Sequence, residues 1–282
     1  MSVSYSNNRS LTLYEKQQLN EIEKWKSEEP SIIQQTVSKA FEPVNKIVNV
    51  IVPEKAIQGA LDGASELGRW LADYNDLKRD GKVENIKELR TKDLGLSDKL
   101  ADEVHNWAIG IAATEGGATG FLGVFGMAAD IPAIVTLALR TIHKIGLCYG
   151  YECKTEEEKN FVLAILSASS ANSMEEKTAS LAMLKTIQNI IAKNAWGKIR
   201  EIALKNPYGI HAVIMLTKNL AKQLGINITK RKALQAIPFI GAAVGGTVNG
   251  AFIKDVGWAA RRAFQERWLR DNDKIIDVEV VE

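Results

Sequence analysis

The sequence has only two cysteines and six prolines in 282 residues, and no low-complexity run. Two cysteines exclude a disulfide scaffold. The Cys148-x4-Cys153 spacing fits neither a CxxC redox pair nor a zinc knuckle, so reduced thiols in a cytoplasmic protein are expected. Scarce proline and the lack of a linker favour one large domain over two small ones. Residues 1–10 are polar and lack the apolar core of a cleaved export signal; a flexible N-terminus is the expectation there. Charge of one sign is lacking as well: 36 Lys and Arg against 34 Asp and Glu leave a formal net charge of +2. HExxH, GxSxG and Walker patterns are all absent, so no catalytic signature stands out. Sustained period-two alternation is scarce, which argues against a sheet-built fold.

What is present is helix. Good helix formers dominate, and apolar residues recur at intervals of three and four, so an all-α, multi-helix bundle is predicted. Thr12 with Glu15, Thr155 with Glu158 and Ser173 with Glu176 each have capping-box spacing, where a hydroxyl takes a free amide of the first turn and a carboxylate reaches back. The first places a helix start near Leu13, with Leu19, Ile22 and Trp25 on its apolar face and Pro30 beyond its end. Further helices are expected over 31–41 and 54–77, with an ambiguous apolar run at 47–52 between them. Residues 79–96 read as a polar connector, and Ser97 reads as the cap of the next helix. Leu181, Leu184, Ile187, Ile190 and Ile191 form a core stripe, and 206–209 reads as a break.

Two segments depart from this ordinary pattern. Residues 107–151 carry eight glycines among small and apolar residues, and residues 233–263 contain Gly241, Gly245, Gly246 and Gly250. Glycine costs about 1 kcal/mol against alanine inside a helix, so so many of them imply a gain from bare backbone. Gly116, Gly120 and Gly123 in the first segment, and Gly241, Gly245 and Gly246 in the second, have the three- and four-residue spacing that lets a helix or an acyl chain approach closely. The two segments are expected to pack together as a glycine-faced hairpin, in the core or dipped into one leaflet.

A full membrane span needs about 20 uninterrupted apolar residues. Residues 108–129 contain Glu115 and are followed by Asp130. Residues 233–253 lack charge but include Gln235, Pro238 and Asn249, and the mean hydropathy of the whole chain is −0.11. A span is therefore not the expected reading.

The charge balance is uneven along the chain. Between Leu181 and Lys232 ten basic residues, ending in Lys230, Arg231 and Lys232, stand against one acid, Glu201. Such a stretch suits anionic head groups or plain solvation. With no base-reading module and little aromatic interleaving, no nucleic-acid partner is expected. Glu115, Asp130, Arg140 and His143 in the first segment, with Asn249 from the second, form the polar constellation inside the apolar segments. Glu115 and Asp130 flank a glycine bend that would bring them together, and with His143 they are the candidate metal ligands of a hydrolase. Their spacing matches no ligand signature, so the preferred expectation is a structural ion-pair or capping network, without metal or other cofactor.

Three blocks carry a resemblance: LTLYEKQQLNEIEKWKSEEPS at the start, GGATGFLGVFGMAADIPAIVTLALRTIHKIGLCYGYE with FVLAILS in the centre, and KALQAIPFIGAAVGGTVNGAFIKDVGWAARRAFQERWL near the end. In this order, over residues 11–270, the chain resembles the EcsC family. The resemblance implies a bacterial protein linked to an ABC-transporter operon, and brings no agreed active site. The combined expectation is a non-enzymatic helical domain at 11–270, followed by an acidic tail at 271–282 that is disordered or adds a short strand. The domain would attach to an anionic inner membrane face or a membrane protein and assist envelope transport or secretion. A metal-dependent hydrolase and a soluble scaffold or lipid-binding module are the alternatives.

Overall fold

The computed structural model describes residues 5–6, 11–30, 75–120, 123–195 and 241–277. Among them are seven α-helices: α1 (Leu13–Ser27), α2 (Asn75–Gly81), α3 (Leu94–Gly120), α4 (Gly123–Cys148), α5 (Glu156–Ser170), α6 (Met174–Ala195) and α7 (Gly241–Asp271). A 3-10 turn at Ile86–Thr91 precedes α3, and two-residue strands β1 (Tyr5–Ser6) and β2 (Ile276–Asp277) pair antiparallel. The all-α expectation holds. The helix expected over 31–41, the run at 47–52, nearly all of the helix expected over 54–77, the break at 206–209 and Lys230, Arg231 and Lys232 lie outside the described residues.

Local signals set several of the helix starts. Thr12 Oγ1 accepts the Glu15 amide at 3.1 Å, and the Glu15 carboxylate accepts the Thr12 amide at 2.7 Å. Thr155 and Glu158 repeat this reciprocal pair at the start of α5. Ser173 caps α6 through the Glu176 amide at 3.2 Å, while the Glu176 carboxylate turns instead to the Asn172 amide at 2.8 Å.

Two expectations are corrected. The helix expected to be capped by Ser97 begins at Leu94. Asp93 Oδ1 takes the Leu96 amide at 2.8 Å, and the earlier start buries Leu94, while the Ser97 hydroxyl is buried without a hydrogen-bond partner. The segment 79–96 is not a polar connector. It buries Val83, Ile86 and Leu89, and the 3-10 turn is tied to the end of α7: Trp268 Nε1 donates to the Leu89 carbonyl at 3.1 Å and Asn272 Nδ2 to the Arg90 carbonyl at 2.7 Å. Nine charged residues among these eighteen disguised an apolar face of irregular spacing.

The core is built around α7, which packs along α3 and also against α4 and α5. Its apolar side, including Phe252, Ile253, Val256, Ala259, Ala260, Ala263 and Phe264, is buried. Phe264 stacks against Tyr149 and Tyr151, with ring centroids 6.2 and 5.7 Å away, and meets Phe161 edge-on. Gly146 makes room for that ring, since a Cβ there would lie 2.7 Å from Phe264 Cζ. In α6, Leu184 and Ile187 are buried and the other three stripe positions are partly buried, as the period predicts.

Helices α3 and α4 run antiparallel as a hairpin. Tyr149 at the far end of α4 donates to Asp98 near the start of α3, and the Arg140 guanidinium lies 4.7 Å from the Trp107 ring centre. Helices α3 and α7 are antiparallel too. Gln265 reaches Asp98 at 2.7 Å, Arg261 reaches Asp102 at 2.6 Å, and a Cβ on Gly250 would rest 3.6 Å from the Ala113 Cβ. One long face of each helix therefore lies in a three-helix core.

Candidate functional site

The antiparallel registers place the glycine-rich stretches. Extending the α3–α7 register, residues 241–246 of α7 stand level with about residues 116–121. Gly116 and Gly120 on α3, Gly123 at the start of α4, and Gly241, Gly245 and Gly246 on α7 thus share one end of the bundle. Glycine-to-helix contact is described on the flank of this end, where Gly250 backs onto Ala113 and Ile109. The closest glycine approach was not singled out in the sequence: at Gly257 an added Cβ would overlap the His105 ring. Its only sequence signal was glycine inside a helical pattern, at a position facing a histidine in another helix.

The polar constellation divides by position. The hairpin register sets residue 115 level with about residue 132, so Glu115 and Asp130 stand near one level, as the bend between α3 and α4 requires. Their side chains lie outside the described ones. His143 is 13 positions further along the continuous α4, about 20 Å away by helical rise, so it does not join them. Its ring is buried, which pushes its pKa down to about 4, and Nδ1 has no hydrogen-bond partner. Asn249 is buried in α7 next to the close approach at Gly250. Among the described residues no three His, Cys, Asp or Glu side chains are grouped to hold a metal.

At the other end of the core the structure gathers a polar cluster absent from the sequence reading. The buried Asp98 carboxylate accepts from the Tyr14 hydroxyl at 2.6 Å, from Gln265 Nε2 at 2.7 Å, and from the Tyr149 hydroxyl. Burial first, and then the neighbouring carboxylate, push both phenols above their ordinary pKa, so they remain donors. Gln265 and Arg262 both reach Gln18 of α1, at 3.1 and 2.9 Å, and the Arg261 and Arg262 guanidiniums lie 4.5 and 5.0 Å from the Trp258 ring centre. The cluster binds α1, α3, the end of α4 and α7. It offers acceptors already filled by phenols and amides, with no open nucleophile.

Cys148 and Cys153 are buried and unbridged, and burial pushes both thiols up, Cys153 to about 12. They are protonated and unreactive at neutral pH.

The sequence pattern of the EcsC protein family matches residues 16–269. The chain belongs to the EcsC family. It is 24% identical over 276 residues to a Bacillus subtilis protein called YdbA, described as uncharacterised, covering 92% of this chain and 94% of that one. It is also 25% identical over 161 residues to the protein EcsC of the same organism, covering 57% of this chain and 59% of that one. No solved structure matches the chain. For an EcsC-family chain with this geometry, the polar cluster at Asp98 is structural, and the glycine-rich end is the region whose composition packing alone explains least.

Proposed function

We propose that this EcsC-family protein is a non-enzymatic accessory of envelope transport or secretion. It acts from the inner face of the bacterial membrane, to which it attaches through the glycine-rich end of the α3, α4 and α7 core. One observation carries the reading. The stretches 108–120, 123–139 and 241–253, which the registers bring to one end of the bundle, contain only two ionisable side chains between them, Glu115 and Asp130. The remainder of α3 and of α7 is densely charged, and that of α4 carries Arg140 and Lys144. No helix among the described residues is long and apolar enough to cross a membrane, so attachment from one side is the form this reading takes. The basic stretch ending in Lys230, Arg231 and Lys232 supplies an electrostatic reason to prefer anionic lipid.

Vesicle flotation tests it. The purified protein is expected to rise with vesicles containing phosphatidylglycerol at low salt, and less with neutral phosphatidylcholine vesicles. Protein left at the bottom of the gradient with both kinds would overturn the reading.

A further inference from the structure

Resting on the membrane reading above, we infer that Trp107, Arg140 and Lys254 form an interfacial belt that sets how deeply the glycine-rich end enters one leaflet. Trp107 is 50% exposed, one of three large apolar side chains exposed among the described residues, and the Arg140 guanidinium stacks on it. Lys254 is exposed, and its backbone is fixed at the same level because its carbonyl accepts from His105 Nε2 at 3.0 Å, two residues before Trp107. The three residues come from the three different helices of the core. A tryptophan with an apolar body and polar edge, flanked by long cations, is the side-chain chemistry of a membrane–water boundary.

The change of composition at this level is abrupt on α3 and α7, and α4 carries its first cations, Arg140 and Lys144, only from this level on. On the far side, toward the glycines, charge is confined to Glu115 and Asp130. On the near side α3 resumes with Glu103 and Asp102, α4 continues to Lys144, and α7 to Asp255 and Arg261. Packing among the described residues gives no reason for a boundary at one height on α3 and α7. A change of solvent does. The length fits as well: from Trp107 to the end of α3, and from Lys254 back to Gly241, helical rise gives about 20 Å. That is about half the thickness of a bilayer counted with its head groups. Glu115 and Asp130, near one level and about 12 to 15 Å past the belt, are the exceptions.

Depth-resolved quenching tests the belt. Cysteines introduced as Glu103→Cys, Thr114→Cys and Ala133→Cys are all at exposed positions, so a fluorophore reacts there in preference to the buried Cys148 and Cys153. Thr114 and Ala133 lie beyond the belt on α3 and α4, and Glu103 lies before it. On phosphatidylglycerol vesicles, labels at 114 and 133 are expected to be quenched several-fold more by a mid-chain nitroxide than by a head-group nitroxide, with the label at 103 quenched by neither. The double variant Trp107→Ala, Arg140→Glu, checked for an unchanged melting temperature, is expected to weaken vesicle binding about tenfold. Protein that floats but shows no mid-chain quenching at 114 and 133, or equal quenching at 103, would overturn the belt and leave membrane association standing. Protein that fails to float would overturn the association itself.

Discussion

Asp98 and Gly257 are the positions where one atom more or less decides the most. The Asp98 carboxylate holds three donors, the buried Tyr149 and Gln265 and the partly exposed Tyr14, so Asp98→Ala removes the acceptor that all three share. Unpaired buried polar groups cost about 1–3 kcal/mol each, and a loss of several kcal/mol is expected, read as a shift in the urea midpoint. Asp98→Asn should cost less, because its amide oxygen can still accept. The glycines of α7 separate into two kinds. Gly257→Ala would push a methyl into the His105 ring and is expected to destabilise by about 1–3 kcal/mol. Gly250→Ala meets Ala113 at an ordinary contact distance and gains helix propensity, so it should be neutral or stabilising by up to about 1 kcal/mol. Denaturant melts of the two variants side by side check this. His105 and His143 add a pH dependence of definite sign. Burial lowers both to about 4 from an ordinary value of 6.5, so the unfolded chain binds protons first on acidification. Stability is fully present above pH 6.5 and falls as the pH drops toward 4, by a few kcal/mol in total, which a series of melts across that range measures.

At the scale of elements, the sequence was most legible where the signal is short-range. The caps at Thr12, Thr155 and Ser173 depend on residues three apart, and all three are in place. The start of α3 was misread because Asp93 and Ser97 are both good caps, and only burial of Leu94 decides between them. The Asp98 cluster was invisible because its donors lie 84, 51 and 167 residues away along the chain, and nothing local marks a tyrosine or glutamine as such a donor. The glycine-rich segments were legible as partners because their composition is extreme, although Trp107 read only as a segment limit and Arg140 as part of the polar constellation, and nothing local brings the two together. Helix α1 illustrates the same limit. Its polar contacts to the rest include Lys177, whose ammonium takes the Glu28 carbonyl at 2.7 Å and the Trp25 carbonyl while lying 5.2 Å from the Trp25 ring centre. Lys177→Met keeps the stem but leaves those carbonyls open. It is expected to lower stability by about 1–3 kcal/mol and to raise amide hydrogen exchange in α1 more than in α7.

At the scale of the whole molecule, the core has two unlike ends. One is tied by buried hydrogen bonds and ion pairs, such as Arg267 with Glu158 at 2.9 Å and Glu266 with Lys26 at 3.0 Å and Arg270 at 2.8 Å. The other is nearly free of charge along three helices. If that second end meets lipid, removing its two carboxylates removes most of what opposes entry. The double variant Glu115→Gln, Asp130→Asn is expected to bind vesicles several-fold more tightly, since an acid at the centre of a bilayer costs about 2.5 to 3.5 kcal/mol and less at partial depth. Titrating lipid into labelled protein measures the change. Unchanged or weaker binding would remove the carboxylates as the opposing term.

The short pairing of Tyr5–Ser6 with Ile276–Asp277 has a topological effect out of proportion to its size. It joins the first described residues of the chain to the stretch just after α7, beside the charged end and remote from residues 108–120. Cargo fused ahead of Tyr5 or behind Asp277 would therefore depart from a single pole of the molecule and hang away from any bilayer gripped at the opposite pole. Two reporters attached at Tyr5 and Asp277 would ride close enough together for energy transfer, whether or not lipid is present.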